Sequence, residues 1–142
     1  MTLEKYPKVY LYRRIAQAKL FIDANFAGEI DLENIADEAF YSKFHFIRLF
    51  KNAYGKTPHQ YLTTVRIDKA KQILQLEKPV SLACNSVGFE SLGSFSRLFK
   101  QIVGITPSAY LDQQKDIKNK LNASPLTFVP GCFAQNYGWI KK

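Results

Sequence analysis

The sequence predicts an all-α fold of about seven helices, arranged as two helix-turn-helix subdomains joined by a long central helix. The first observation behind this prediction is a repeat. Phe46 to Leu62 recurs as Phe95 to Leu111, at an offset of 49 and with ten of seventeen positions identical. The second is periodicity, because apolar residues in both copies recur at spacings of three and four, as on one face of a helix. No segment has the alternation of a convincing strand.

Composition agrees with a small folded domain. The chain has 142 residues, 46% of them apolar, and a net charge of +8, which is ordinary globular usage and not that of a disordered polyelectrolyte. No stretch approaches the roughly 18 apolar residues of a membrane span. Cys84 and Cys132 are 48 residues apart, so no disulfide framework is indicated. We therefore expect a cytoplasmic protein.

The positive charge is concentrated in the middle of the chain. Residues 1–40 sum to −2, residues 41–111 to +7 and residues 112–142 to +3. A basic segment favours an anionic partner such as nucleic acid. The basic segment, residues 41–111, therefore contains both copies of the repeat.

The elements before the central helix follow from periodicity and capping residues. An amphipathic helix is predicted over Val9 to Phe26, with Ile15, Leu20 and Ile22 among its apolar positions. Asp31 is a candidate cap for a short helix, Leu32 to Ala39. The next helix, Ser42 to Tyr54, has a candidate N-cap in Ser42 and a candidate end at Gly55. Its predicted apolar face consists of Phe46, Leu49, Phe50 and Ala53.

The central helix should start at Thr57-Pro58-His59-Gln60, which has the pattern of a capping box with proline at the first helical position. It should end near Glu77, because Pro79 disfavours helix in the residue before it. The second copy then predicts helices over Val80 to Val87 and Ser91 to Val103, with a turn at Gly88. A last helix runs from Pro107 to about Leu121. These elements divide the chain into 1–55, 56–78, 79–121 and an aromatic-rich tail, 122–142.

The second helix of each unit presents matching exposed faces at the shared offset of 49. They are Lys43, Phe44, Ile47, Arg48 and Lys51 in the first copy, and Leu92, Gly93, Ser96, Arg97 and Lys100 in the second. Arg48 and Arg97 could bind guanine with two hydrogen bonds each. Lysines 43, 51 and 100 could neutralise phosphates. A merely solvated face is the alternative, although Phe44 and Ile47 argue against it.

A central helix of about 20 residues spans roughly 30 Å, close to the separation of about 34 Å between successive major grooves on one side of a duplex. One chain could therefore contact two grooves.

The chain closely resembles the DNA-binding domain of the AraC/XylS family of bacterial transcription regulators. The resemblance covers about residues 9–112 and rests on Tyr41 to Leu62, Arg66 to Leu74 and Gly88 to Leu111. It implies that the second helix of each subdomain enters a major groove. The base-facing residues implied by position are Phe44, Ile47, Arg48, Leu92, Gly93, Ser96 and Arg97. Because Gly93 and Ser96 are small, we predict that the first unit supplies most of the base discrimination.

The resemblance also sets expectations about partners. Few residues precede the first predicted helix, which is typical of a stand-alone family member without a small-molecule effector domain, bound to double-stranded DNA as a monomer. The aromatic residues of the tail favour packing against the body, and a contact surface for RNA polymerase or an effector is the alternative.

Other chemistries have little support in the sequence. His45 and His59 are 14 residues apart and neither cysteine has a partner at ligand spacing, so no metal site or cofactor is predicted. His45 is expected to face phosphate or solvent, and Cys84 to be a small buried residue. No residues suggest an enzyme.

The main alternative to a transcription regulator is an architectural protein that bends DNA with little sequence preference. A membrane-surface protein would need one continuous basic and apolar helix.

Overall fold

A computed structural model describes residues 2–31, 33 and 42–123 of the chain. Within these ranges the fold is all helical, as predicted, with six helices. They are α1 (Thr2–Asn25), α2 (Lys43–Tyr54), α3 (Pro58–Gln75), α4 (Val80–Ser86), α5 (Leu92–Val103) and α6 (Pro107–Ala123). The short helix predicted over residues 32–39 and the tail from residue 124 onward lie outside the described residues, apart from residue 33.

Helix α1 starts earlier than the periodicity predicted, and its described side chains, from residue 12 onward, include one narrow buried stripe. Ile15, Ala18 and Ile22 are at most 3% exposed. The prediction for Leu20 was wrong, since its side chain is 63% exposed. At 3.6 residues per turn, Leu20 points about 140° away from Ile15 around the helix axis. An apolar residue on an amphipathic helix therefore need not belong to its buried stripe.

The sequence repeat is also a structural repeat, because corresponding residues of α2 and α5 have the same capping interactions and the same buried phenylalanines. Ser42 and Ser91 accept hydrogen bonds from the amides of His45 and Ser94, which caps α2 and α5 in the same way. Both helices end at a glycine with positive φ, 77° at Gly55 and 101° at Gly104. The phenylalanines that recur at the 49-residue offset are all buried: Phe46, Phe50, Phe95 and Phe99.

One predicted core position in α2 was wrong. Ala53 is exposed because it lies in the last turn of the helix, and its methyl group is too short to reach a neighbouring element there. The next residue, Tyr54, packs instead, with its ring centroid 4.9 Å from that of Phe50. The rings of Phe50 and Tyr54 therefore pack together at the C-terminal end of α2.

The central helix α3 begins with the predicted capping box. Thr57 accepts from the amide of Gln60, and the Gln60 side chain accepts from the amide of Thr57. The helix ends at Gln75, slightly before the predicted end, and Glu77 then adopts a φ of 59°. Its 18 residues span about 27 Å.

The helices enclose two cores. The first is formed by Ile15, Ala18, Ile22, Phe46, Phe50 and Leu62. The second is formed by Ile67, Ala70, Leu74, Ala83, Cys84, Val87, Phe95, Phe99 and Tyr110. Helix α3 contributes to both, and Phe26, just after α1, packs against both. Helices α2 and α5 are thus each seated on a separate core.

Cys84 is a small buried core residue, as predicted, with 2% of its surface exposed. Burial raises the pKa of its thiol. The pKa of this thiol is therefore higher in the folded protein than in the unfolded chain. The buried, protonated thiol contributes fully to the free energy of unfolding below the unfolded pKa, and this contribution is lost as pH rises through the folded pKa.

We expect Cys84 to resist thiol reagents at neutral pH in the native protein, because the thiolate is the reactive form. A Cys132→Ser background isolates this thiol, and Ellman's reagent measures it. Labelling should become fast only in denaturant. Fast labelling without denaturant would show that this core opens.

Candidate nucleic-acid interface

Helix α2 presents a basic and apolar face on the side opposite its buried phenylalanines. Phe44 is 77% exposed, which is unusual for an aromatic residue on a folded domain. Ile47 is half-buried beside it, and Arg48 is exposed. The predicted phosphate contacts on this helix, Lys43, His45 and Lys51, are exposed too.

Helix α5 presents the corresponding face in the second unit. Leu92, which corresponds to the α2 residue Lys43, is 51% exposed. Gly93, Arg97 and Lys100 are exposed, and Ser96 is half-buried. All eleven predicted contact residues therefore lie on the two helices and outside both cores.

The two faces match because the same capping interactions fix where each helix begins. With serine N-caps 49 residues apart, every side chain of α2 and its counterpart in α5 leave their helices in the same direction. Neither helix contains an acidic residue. Both are therefore compatible with a close approach to an anionic surface.

One predicted phosphate contact is partly engaged within the protein. The Lys43 ammonium lies 3.1 Å from a carboxylate oxygen of Glu33, and both side chains are more than half exposed. An exposed ion pair of this kind contributes at most about 1 kcal/mol, so a phosphate can compete for the lysine. We expect a smaller contribution from Lys43 than from Lys51.

A groove between α3 and α5 adds residues that the sequence did not single out. It has a volume of about 530 Å³ and is lined on one side by Arg97 and Gln101, and on the other by Lys56, His59 and Thr63. The Lys56 ammonium donates to the hydroxyl of Thr64 at 3.3 Å. The signal that could have revealed this face is the run of polar residues at helical spacing in the first turns of α3.

His59 also borders a second groove, of about 420 Å³, whose lining includes Lys43 and Ile47 of α2. The first turn of α3 therefore borders both α2 and α5. His59 therefore lies between the exposed faces of α2 and α5.

Two other kinds of site find no support in the described part of the chain. There, His, Cys, Asp and Glu form no group of three that could hold a metal ion. Among the described helices, none combines the length and the apolar character that a membrane crossing needs.

Comparison with known proteins identifies the family. The family model described as "Helix-turn-helix domain" matches residues 35–113, more than half of the chain. The chain belongs to the AraC-type helix-turn-helix family of DNA-binding transcription regulators. The resemblance drawn from the sequence is confirmed, and the family is one of regulators and not of enzymes.

One relative is the probable transcriptional regulator LumQ of Photobacterium leiognathi, which is 36% identical over 78 residues. That segment is 54% of this chain and 32% of LumQ, so the chain spans about a third of that relative.

Solved structures of AraC-type domains share the fold. An AraC-type regulator from Chromobacterium violaceum is 27% identical with a TM-score of 0.64, covering 72% of this chain and 93% of that one. The DNA-binding domain of AdpA, solved with a target DNA, has a TM-score of 0.69 at 24% identity over 74% of this chain and 96% of its own. The AdpA likeness shows the common architecture.

Proposed function

We propose that this protein is a sequence-specific transcription regulator that inserts α2 and α5 into two successive major grooves of a promoter site. The observation that carries the proposal is the pair of matched exposed faces, held by one continuous helix of about 27 Å. That span is compatible with the roughly 34 Å between grooves on one side of B-DNA. Because both faces belong to one chain, a monomer is sufficient for binding. The proposal places the protein with the DNA in the cytoplasm.

The contacts divide into base recognition and phosphate neutralisation. The residues proposed to face bases are Phe44, Ile47, Arg48, Leu92, Gly93, Ser96 and Arg97. The residues proposed to face phosphates are Lys43, His45, Lys51 and Lys100. Exposed apolar side chains such as Phe44 suit contact with thymine methyl groups, and the arginine forks suit guanine.

The groove beside α3 extends this interface. When two recognition helices occupy successive major grooves, the sugar-phosphate strands between them face the protein surface that joins the helices. Lys56 and His59 lie on that surface. We include both among the proposed phosphate contacts.

Replacing Lys51 or Lys56 with alanine should weaken binding to all DNA sequences by a similar factor. Each variant should reduce the slope of log K against log salt by about 0.9, the value for one lost phosphate contact. Fluorescence anisotropy across a salt series measures the slope. Lys115→Ala is the matched control, because Lys115 is an exposed lysine of α6 that is not among the residues proposed to contact DNA. A change in base preference with Lys51→Ala would contradict the phosphate assignment.

A contact between the tail and RNA polymerase stays a prediction. The residues concerned lie outside the described part of the chain, so the proposal concerns the binding module alone.

The alternative, an architectural protein that bends DNA with little sequence preference, is favoured by one observation. On α5, Gly93 and Ser96 occupy the positions that correspond to Phe44 and Ile47 of α2. Few long side chains therefore flank Arg97. Selection of bound duplexes from a random pool separates the two functions. The regulator should enrich a bipartite motif that spans about two helical turns. A pool without an enriched motif would favour the architectural function.

A further inference from the structure

We infer that Arg66 is a positioning residue that sets the spacing between the two DNA half-sites by locking the junction between the two helix-turn-helix units. This inference rests on the proposed function, because it concerns how one chain contacts two grooves.

Arg66 lies in the middle of α3 and holds the segment that follows α1. Its Nε donates to the carbonyl oxygen of Phe26 at 2.7 Å, and its Nη2 donates to that of Gly28 at 3.0 Å. The two acceptors come from a turn about 40 residues earlier in the chain. A planar guanidinium satisfies both carbonyls at once, which lysine cannot do with the same geometry.

The same side chain also contacts the second unit. The guanidinium carbon of Arg66 lies 5.7 Å from the ring centroid of Phe89, in the turn between α4 and α5. The Phe89 ring packs at 5.3 Å on that of Phe95, a fully buried core residue of α5. Arg66 therefore connects the first unit to the base of the second recognition helix.

The backbones of the two units meet at this point. A Cβ atom on Gly88 would lie 2.7 Å from the carbonyl oxygen of Ala27, which shows how closely the turn of the second unit approaches the segment after α1. Phe26, whose carbonyl accepts from Arg66, packs its side chain against both cores. This junction connects the two units in addition to α3 itself.

Within the described residues Arg66 uses carbonyl oxygens and not a carboxylate as its partners. Burial lowers the pKa of its guanidinium, although arginine remains charged at all relevant pH values. Losing the guanidinium would leave two carbonyls of the junction without these donors and would remove the cation from the Phe89 ring. The units could then rotate about α3, and the distance between α2 and α5 would vary.

The test compares Arg66→Met with the wild type on a set of duplexes. Methionine keeps an apolar stem against Phe89 and removes the hydrogen-bond donors. Each duplex carries both half-sites of the selected motif, at the selected spacing or with one or two base pairs inserted or removed. Lys115→Met is the control for the loss of one positive charge.

The wild type and the control should lose at least about tenfold in affinity when one base pair is inserted, comparable to a mismatched base pair. In Arg66→Met that penalty should shrink to about threefold or less, while the affinity at the selected spacing falls. An equal loss of affinity at every spacing would mean that Arg66 contributes only to stability, and would overturn the inference. A wild type that ignores spacing would overturn both the inference and the proposed function.

A second measurement needs no DNA. Spin labels can be attached at Asn52→Cys of α2 and Gln101→Cys of α5 in a Cys132→Ser background. Double electron–electron resonance then measures the distance between the two recognition helices. The distance distribution should be broader in Arg66→Met than in the wild type. Equal widths, in a variant whose helical circular dichroism is unchanged, would also overturn the inference.

Discussion

Arg48→Ala is expected to reduce affinity for the selected DNA site by about 5- to 150-fold, equivalent to about 1–3 kcal/mol, and to relax base preference in one half-site. The physical reason is the planar fork of the exposed Arg48 guanidinium, which can bind the two acceptors of a guanine in the major groove. Phe44 and Ile47 lie on the same face of α2 and would exclude water from that contact. Selection with the variant, followed by anisotropy on the enriched and mutated sites, measures both effects.

Arg97→Ala is the matched control, because Arg97 is the repeat counterpart of Arg48 on α5. We expect a smaller loss of specificity there, since Gly93 and Ser96 offer few atoms that can reach base edges. If Arg97→Ala relaxed base preference more than Arg48→Ala, the first unit would not be the main source of discrimination.

Gly88→Ala is expected to cause the largest loss of stability of any single-methyl change at a described glycine, about 3 kcal/mol. Its φ of 94° is unfavourable for alanine, and the added Cβ would meet the Ala27 carbonyl oxygen at 2.7 Å. Since small domains have about 5–15 kcal/mol of stability, this change would remove a large fraction of it. Urea denaturation followed by circular dichroism measures the difference.

Gly104→Ala separates the two causes. Gly104 has a similar φ of 101°, but nothing lies within 4 Å of its Cβ position. Its replacement should therefore cost only the backbone strain, about 1–2 kcal/mol. Equal losses of stability in the two variants would contradict the close approach of Gly88 to the Ala27 carbonyl oxygen.

Much of the fold could be predicted because capping chemistry and apolar spacing are local signals. The serine caps at Ser42 and Ser91 and the capping box at Thr57 each bond to an amide three residues away, so a short sequence window contains the whole interaction. The core phenylalanines were found from spacing and from the repeat. For the same reason, the exposed faces of α2 and α5 could be identified by removing the core positions.

The errors and omissions have a different origin. Leu20 lies about 140° around α1 from the buried Ile15, so its apolar type alone did not show that it is buried. Whether Ala53 is buried depends on which neighbouring helix reaches it, and no local pattern reports that. Arg66 bonds carbonyls about 40 residues away, and a charged residue on a helix is usually solvated. The groove at His59 likewise exists only once α3 packs beside α5. Contacts between units therefore had to come from the structure.

Protection of guanine N7 from dimethyl sulfate, in a complex of known stoichiometry, tests the central claim most directly. N7 lies in the major groove, so its protection locates each recognition helix on the DNA. In a complex of one chain per duplex, we expect two protected segments about 10 base pairs apart on one side of the helix. One protected segment per chain, or two segments only with two chains bound, would contradict the claim that a single chain contacts two successive major grooves.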